Sequence, residues 1–148
     1  MDKIIERLGL LKPHKCETEL TYPDDITSLS DVELGSFYWK LSALLQYTNY
    51  LAAKTEVDAM IAREKYEKIK NMYLLEDSWD KKLTITERKL IVEMKADVEE
   101  ARKNYLNKEA LSKIIHSLLA SYQEAVKAAS REMARRQYVL EKRGLGEG

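Results

Sequence analysis

Between Ser36 and Arg143 the chain contains neither glycine nor proline. Both prolines, Pro13 and Pro23, precede that stretch, and the five glycines (Gly9, Gly35, Gly144, Gly146 and Gly148) lie outside it. Successive strands need turns, and turns usually recruit those residues, so the stretch speaks against a β fold and helix is the natural reading. A single cysteine, Cys16, rules out an internal disulfide and cannot make a zinc cluster, which fits a reducing compartment. No apolar run approaches the roughly 20 residues of a membrane span. The opening Met1-Asp2-Lys3-Ile4-Ile5-Glu6-Arg7 carries acids and lacks a signal peptide's apolar core. Lys plus Arg number 25 and Asp plus Glu number 25, so no excess of one sign marks the whole chain as a nucleic-acid binder. The expectation is a soluble, cytoplasmic protein with no membrane segment, whose electrostatics are local.

What is present is charge and helical periodicity. Charged residues are 34% of the 148, enough to solvate the outer faces of long helices around one modest core. Two capping boxes punctuate the pattern. In Ser30-Asp31-Val32-Glu33 the serine oxygen can accept from the third helical amide while Glu33 reaches back to the cap amide. Thr84-Ile85-Thr86-Glu87 repeats the device. Between them, Glu76 to Lys82 has no apolar periodicity and reads as a loop with Trp79 tucked inward. The expected organisation is a single helical domain over 1–148. An N-terminal segment, 1–29, carries a short helix near 2–11 and an irregular stretch through Pro23. A first long helix at 30–76, a loop at 77–84 and a second long helix at 85–143 follow. The weakest point of the second is 104–107, where Asn104 and Asn107 are poor helix formers, so a break is expected there if anywhere.

The apolar spacing steps by three and four, as in coiled coils. Leu34, Phe37, Leu41, Leu44, Thr48 and Leu51 form one stripe, which shifts and continues through Ala52, Thr55, Ala59, Ala62, Tyr66, Ile69 and Tyr73. In the second half the step runs through Ile91, Met94, Val98, Ala101 and Tyr105, then Ile115, Leu119, Tyr122, Val126, Ala129 and Met133. Further apolar residues, among them Leu45, Met60, Leu90, Leu111, Ile114 and Leu118, widen the stripes beyond what one hairpin covers. The fold class expected is therefore all-α: two long helices in a hairpin-like or coiled-coil arrangement, assembling into a homo-oligomer. Ile115, Leu119, Tyr122 and Val126 are the expected oligomerisation residues.

Enzyme signatures are missing: no Gly-rich phosphate loop, no HExxH, no CxxC and no nucleophile elbow. His116 on a helix reads as solvated or at a core edge, and Glu99-Glu100 and Asp24-Asp25 read as solvated faces and turns. Neither an enzyme, a cofactor nor a metal is expected. Two basic clusters carry more chemistry. Arg63, Lys65, Lys68 and Lys70 interleave with Tyr66 and Tyr73, and Arg63, Tyr66, Lys70 and Tyr73 share one helix face. Cations beside aromatic faces suit single-stranded nucleic acid; the alternative is a core edge, with tyrosines buried under basic stems. Arg131, Arg135 and Arg136, with Lys127, Lys142 and Arg143, close the last helix; the three arginines are expected DNA contacts alongside the first cluster, although cations there also complement the helix dipole.

Several short segments resemble the UvsY family of phage recombination mediators. They are Tyr47-Thr48-Asn49-Tyr50-Leu51, Lys68-Ile69-Lys70-Asn71-Met72-Tyr73, Glu87-Arg88-Lys89 with Ala96-Asp97-Val98, and Ser130-Arg131 with Ala134-Arg135. The likeness spans roughly residues 37–136. The family's glycine after the tyrosine is replaced by Leu74, and the second half here is longer. The resemblance implies a non-enzymatic mediator that forms a ring, binds single-stranded DNA and helps load a RecA-like recombinase onto strands covered by single-strand-binding protein. It implies Lys68 and Lys70 as DNA contacts, and, for a phage-encoded chain, the host cytoplasm. A competing class is a coiled-coil scaffold or assembly protein with no nucleic-acid role; a third is an antitoxin-like helical regulator.

Overall fold

The computed structural model describes residues 20, 22–76 and 78–146. The helix expected near 2–11, His14 and Cys16 lie outside them. Among the described residues there are three α-helices, one 3-10 turn and no strand: the turn at Ile26–Ser28, α1 at Asp31–Leu74, α2 at Ile85–Glu93 and α3 at Ala96–Leu145.

Both capping boxes form. Ser30 Oγ accepts from Glu33 N at 3.2 Å, and Glu33 Oε2 accepts from Ser30 N at 2.8 Å. Thr84 Oγ1 accepts from Glu87 N at 3.2 Å, and Glu87 Oε2 accepts from Thr84 N at 2.7 Å. These bonds to amides that would otherwise lack partners hold both Glu carboxyls below their ordinary value. Asp25 starts the 3-10 turn in the same way, accepting from Thr27 N at 2.9 Å. Trp79 turns inward, and its indole N–H donates to Tyr73 O at 2.8 Å. The loop thereby satisfies one of the carbonyls left open at the end of α1.

The break in the second half falls at Met94–Lys95, not near 104–107, where α3 runs straight through Asn104 and Asn107. Burial explains the position. Val92 and Val98 are both fully enclosed, in the same apolar cluster. On one continuous helix six residues turn through about 600°, which would leave the two side chains roughly 120° apart. Met94 N and Lys95 N instead bond three residues back, to Ile91 O at 3.2 Å and Val92 O at 3.0 Å. The chain is re-aimed there without glycine or proline, and both valines face one core.

The chain divides into two compact units. The loop unit, Ala52–Ile115, holds the second part of α1, the loop, α2 and the first part of α3. There α1 and α3 lie antiparallel: Tyr66 stacks on Tyr105, and Tyr73 bonds Asp97. Its cluster is Tyr66, Val92, Val98 and Ala101, with Ile69, Tyr73, Leu74, Trp79 and Tyr105 packed against it. Ala52, Thr55, Ala59 and Ala62 are buried at steps of three, four and three, leading into Tyr66, and Ser112 is buried on α3. The terminal unit combines the described residues up to Leu51 with those from His116 onward. Leu34, Phe37, Leu41 and Ala129 form its center, with Leu20, Ile26, Leu29, Tyr38, Tyr122, Ala125 and Val126 around them. Tyr22 meets the Phe37 ring edge-on at 6.0 Å between centroids.

Candidate functional site

The face built by Arg63, Tyr66, Lys70 and Tyr73 exists, but most of it points into the loop unit. Spacing of three and four continues the buried Ala59 and Ala62 register, so the residues that share a face share the core side. Tyr66 is 9% exposed. Its ring stacks on Tyr105, with centroids 6.2 Å apart and planes 8° from parallel, and the Lys70 ammonium lies 4.8 Å from its centroid. Its hydroxyl donates to Glu93 Oε1 at 2.6 Å. Burial first, then this bond to an anion, raises the Tyr66 pKa. Lys70 completes the group, its ammonium 3.3 Å from Glu67 and 3.6 Å from Glu93. Tyr73 donates to Asp97 Oδ2 at 2.7 Å, a bond that raises its pKa, and Lys95 sits 5.5 Å from the center of its ring.

Tyr66 is therefore a core residue and not a platform for a base. Lys70 and Tyr73 are half-buried, Lys70 paired with Glu93 and Tyr73 hydrogen-bonded to Asp97. Of this cluster only Arg63, Lys65 and Lys68 stand in solvent. None of the three has an ion-pair partner among the described residues.

The terminal arginines are likewise divided. Glu132, 6% exposed, is the hub. Arg135 donates to both of its oxygens at 2.8 Å each, and Arg136 Nε donates to Oε1 at 2.8 Å. The bonds from Arg135, then Arg136, pull the Glu132 carboxyl down to about 2. Arg136 also reaches across to the start of α1. Its Nη1 donates to Asp31 Oδ1 at 2.7 Å, and its Nη2 donates to Leu29 O at 2.7 Å and Thr27 O at 3.4 Å. With every nitrogen bonded, Arg136 is a staple between α3 and the entry to α1. Arg135 is paired but largely exposed, and Arg131 is exposed.

Of the expected oligomerisation residues, Tyr122 and Val126 pack against the chain's own Leu34 cluster, while Ile115 and Leu119 are half-buried. The large aliphatic side chains left in solvent on α3 are others, including Leu106, Leu111, Ile114 and Leu118. The carboxylates that decide which cations are available (Glu93, Asp31 and above all Glu132) have no mark as partners in the sequence reading. For Glu132 the signal was there: it precedes Arg135 and Arg136 by three and four, the spacing of neighbors on one helix face.

Among the described residues no three His, Cys, Asp or Glu side chains come together that could hold a metal ion. A groove of about 560 Å³ in the terminal unit is lined by Leu20, Pro23, Leu29, Val32, Glu33, Ser36, Phe37 and Lys40. Glu33 there is committed to its helix cap. No described helix is long and apolar enough to cross a membrane. Comparison of the chain with protein-family models, curated proteins and solved structures finds no match.

Proposed function

We propose that this chain is a non-enzymatic assembly protein that works by binding helices, copies of itself included, through the outer faces of its own. The observation that carries this reading is the apolar surface left in solvent after both cores are filled. In the loop unit Met60, Ile61, Met72, Leu90 and Met94 are exposed, and in the terminal unit Val32 and Trp39 are 84% and 76% exposed. Large apolar side chains exposed in this number on helix faces are the kind of surface that contact sites use. A stable interface needs about 800 Å² from each partner. Light scattering at micromolar concentration tests it: a mass of two or more chains is expected, and a monomer mass overturns self-association.

A second reading, single-stranded DNA binding in the manner of a recombination mediator, is favored by one observation. Arg63, Lys65 and Lys68 stand exposed on α1 without an acidic partner. A ring that repeated so small a patch would gain avidity without a basic chain, and recruitment of a RecA-like recombinase and single-strand-binding protein would follow from the family resemblance. Anisotropy of a labelled oligonucleotide at about 50 mM salt decides it, since the phosphate term is strong there. Replacing the three residues by Ala should then flatten the salt dependence by about one unit of slope per lost contact. Lys70→Ala should leave that slope alone, because Lys70 is held by Glu67 and Glu93. No binding by the wild type removes the DNA reading and leaves the assembly reading standing.

A further inference from the structure

One outer stripe of the loop unit has a composition that specifies its occupant. Ile61, Lys65, Lys68, Met72 and Leu75 succeed one another at steps of four, three, four and three, the spacing of a coiled-coil seam. They lie on the side of α1 away from Ala62, Tyr66 and Tyr73. Ile61, Met72 and Leu75 are 53%, 63% and 82% exposed, and both lysines are exposed. Leu75 follows the last helical residue but keeps the helical bond, its N–H donating to Asn71 O at 3.0 Å. The stripe is thus a continuous seam of about 21 Å, apolar at both ends and cationic in the middle.

The geometry points to this seam as the docking site for an amphipathic helix of another protein, one with acidic residues at two central seam positions and apolar residues on either side. Charge disfavors a second copy of the same stripe. In parallel pairing Lys65 meets Lys65 and Lys68 meets Lys68; in antiparallel pairing that sets Ile61 against Met72, Lys65 meets Lys68 twice, and only an offset that leaves Ile61 unpaired avoids a Lys–Lys contact. Nor does any described helix of this chain offer the complementary order of apolar, acid, acid, apolar at steps of four, three and four. The nearest, Met60-Glu64-Glu67-Asn71, ends on asparagine, and its Glu67 is tied to Lys70. Aliphatic side chains flanking the lysines favor a helix over a nucleic acid, which would be met by cations and aromatic faces. Asp58 and Glu64 border the seam, so basic residues at the partner's flanks would fix its register. The site is independent of whether the chain self-associates.

The test uses the full-length protein and a labelled synthetic helix of about five turns with Leu, Glu, Glu, Leu and Leu at the seam positions and Lys at the flanks. A control peptide carries Lys at the two central positions. The acidic peptide should bind the wild type. The double variant Lys65→Glu/Lys68→Glu should bind it about tenfold or more weakly and take up the control peptide instead, since two attractions become repulsions. The substitutions are on an exposed face, and an unchanged circular-dichroism melt verifies the fold. Ile61→Ser/Met72→Ser should weaken both pairings. The proposal is overturned if the two peptides bind the wild type alike, if neither binds, or if the charge-reversed variant keeps its preference. It is also overturned if only a single-stranded oligonucleotide binds and the reversal abolishes that.

Discussion

The two units solve the same packing problem with different materials. The terminal unit is centered on large side chains, Leu34, Phe37 and Leu41, and clamped by a carboxylate almost removed from water. The loop unit relies on small residues, Ala52, Thr55, Ala59 and Ala62, and then on tyrosines whose hydroxyls end on carboxylates. One unit neutralises its acid with guanidinium groups; in the other an ammonium pairs with Glu93 while phenols donate hydrogen bonds to Glu93 and Asp97. The contrast teaches that the basic and aromatic residues of a charged helical chain are first claimed by its own acids, and only what remains is available to a partner.

That contrast can be broken most forcefully at the cores. Leu41→Ala should cost about 2–5 kcal/mol, because the side chain is fully enclosed and the vacated volume cannot collapse. Val98→Ala, in the loop unit, removes less and should cost about 1–3 kcal/mol. Urea titration followed by circular dichroism measures both. If the units unfold independently, each variant should shift a separate phase; a single shifted transition would show them to be coupled.

The next effect sets the units against each other by pH. Glu132 is depressed to about 2 from an ordinary value of 4.5, so its stabilising contribution is present above pH 4.5 and disappears as pH falls toward about 2. Tyr66 is raised from 10.0, so its contribution is present below pH 10 and is lost as pH climbs through the raised native value. Acid should therefore weaken the terminal unit first and alkali the loop unit. Amide hydrogen exchange at both extremes checks the order. Glu132→Gln should flatten the acid limb and lower the melting temperature at neutral pH, since Arg135 and Arg136 lose their shared anion.

A smaller effect is expected for Tyr66→Phe, which keeps the ring stacked on Tyr105 but removes the donor to Glu93. The net loss should be about 0.5–1.5 kcal/mol, and the alkaline limb should flatten. Smallest of all, Lys68→Ala should change stability by no more than about 0.5 kcal/mol, as for other exposed positions without a partner. Chemical denaturation measures both, and a large loss at Lys68 would mean that its side chain is committed after all.

Much of the architecture could be read before any coordinates. The lack of glycine and proline from Ser36 to Arg143 favors helix wherever apolar periodicity persists, and the polar run from Glu76 to Lys82 marks the one loop in that stretch that the sequence announces. Ser30 with Glu33 and Thr84 with Glu87 set two helix starts, because a capping box is closed by residues three apart and needs no tertiary partner. Trp79 could be placed inward from its isolation in a polar loop. Tertiary structure alone decided the rest. The break at Met94–Lys95 follows from the need to enclose both Val92 and Val98, a demand that no local signal announces. Whether Tyr66 stacks on a base or on Tyr105, and whether Arg136 is a ligand or a staple, depends on groups 39 and 105 positions away in the chain, Tyr105 and Asp31. Local bonding fixes where a helix begins; which of its faces is left for a partner is settled only when the opposing helix has taken its share.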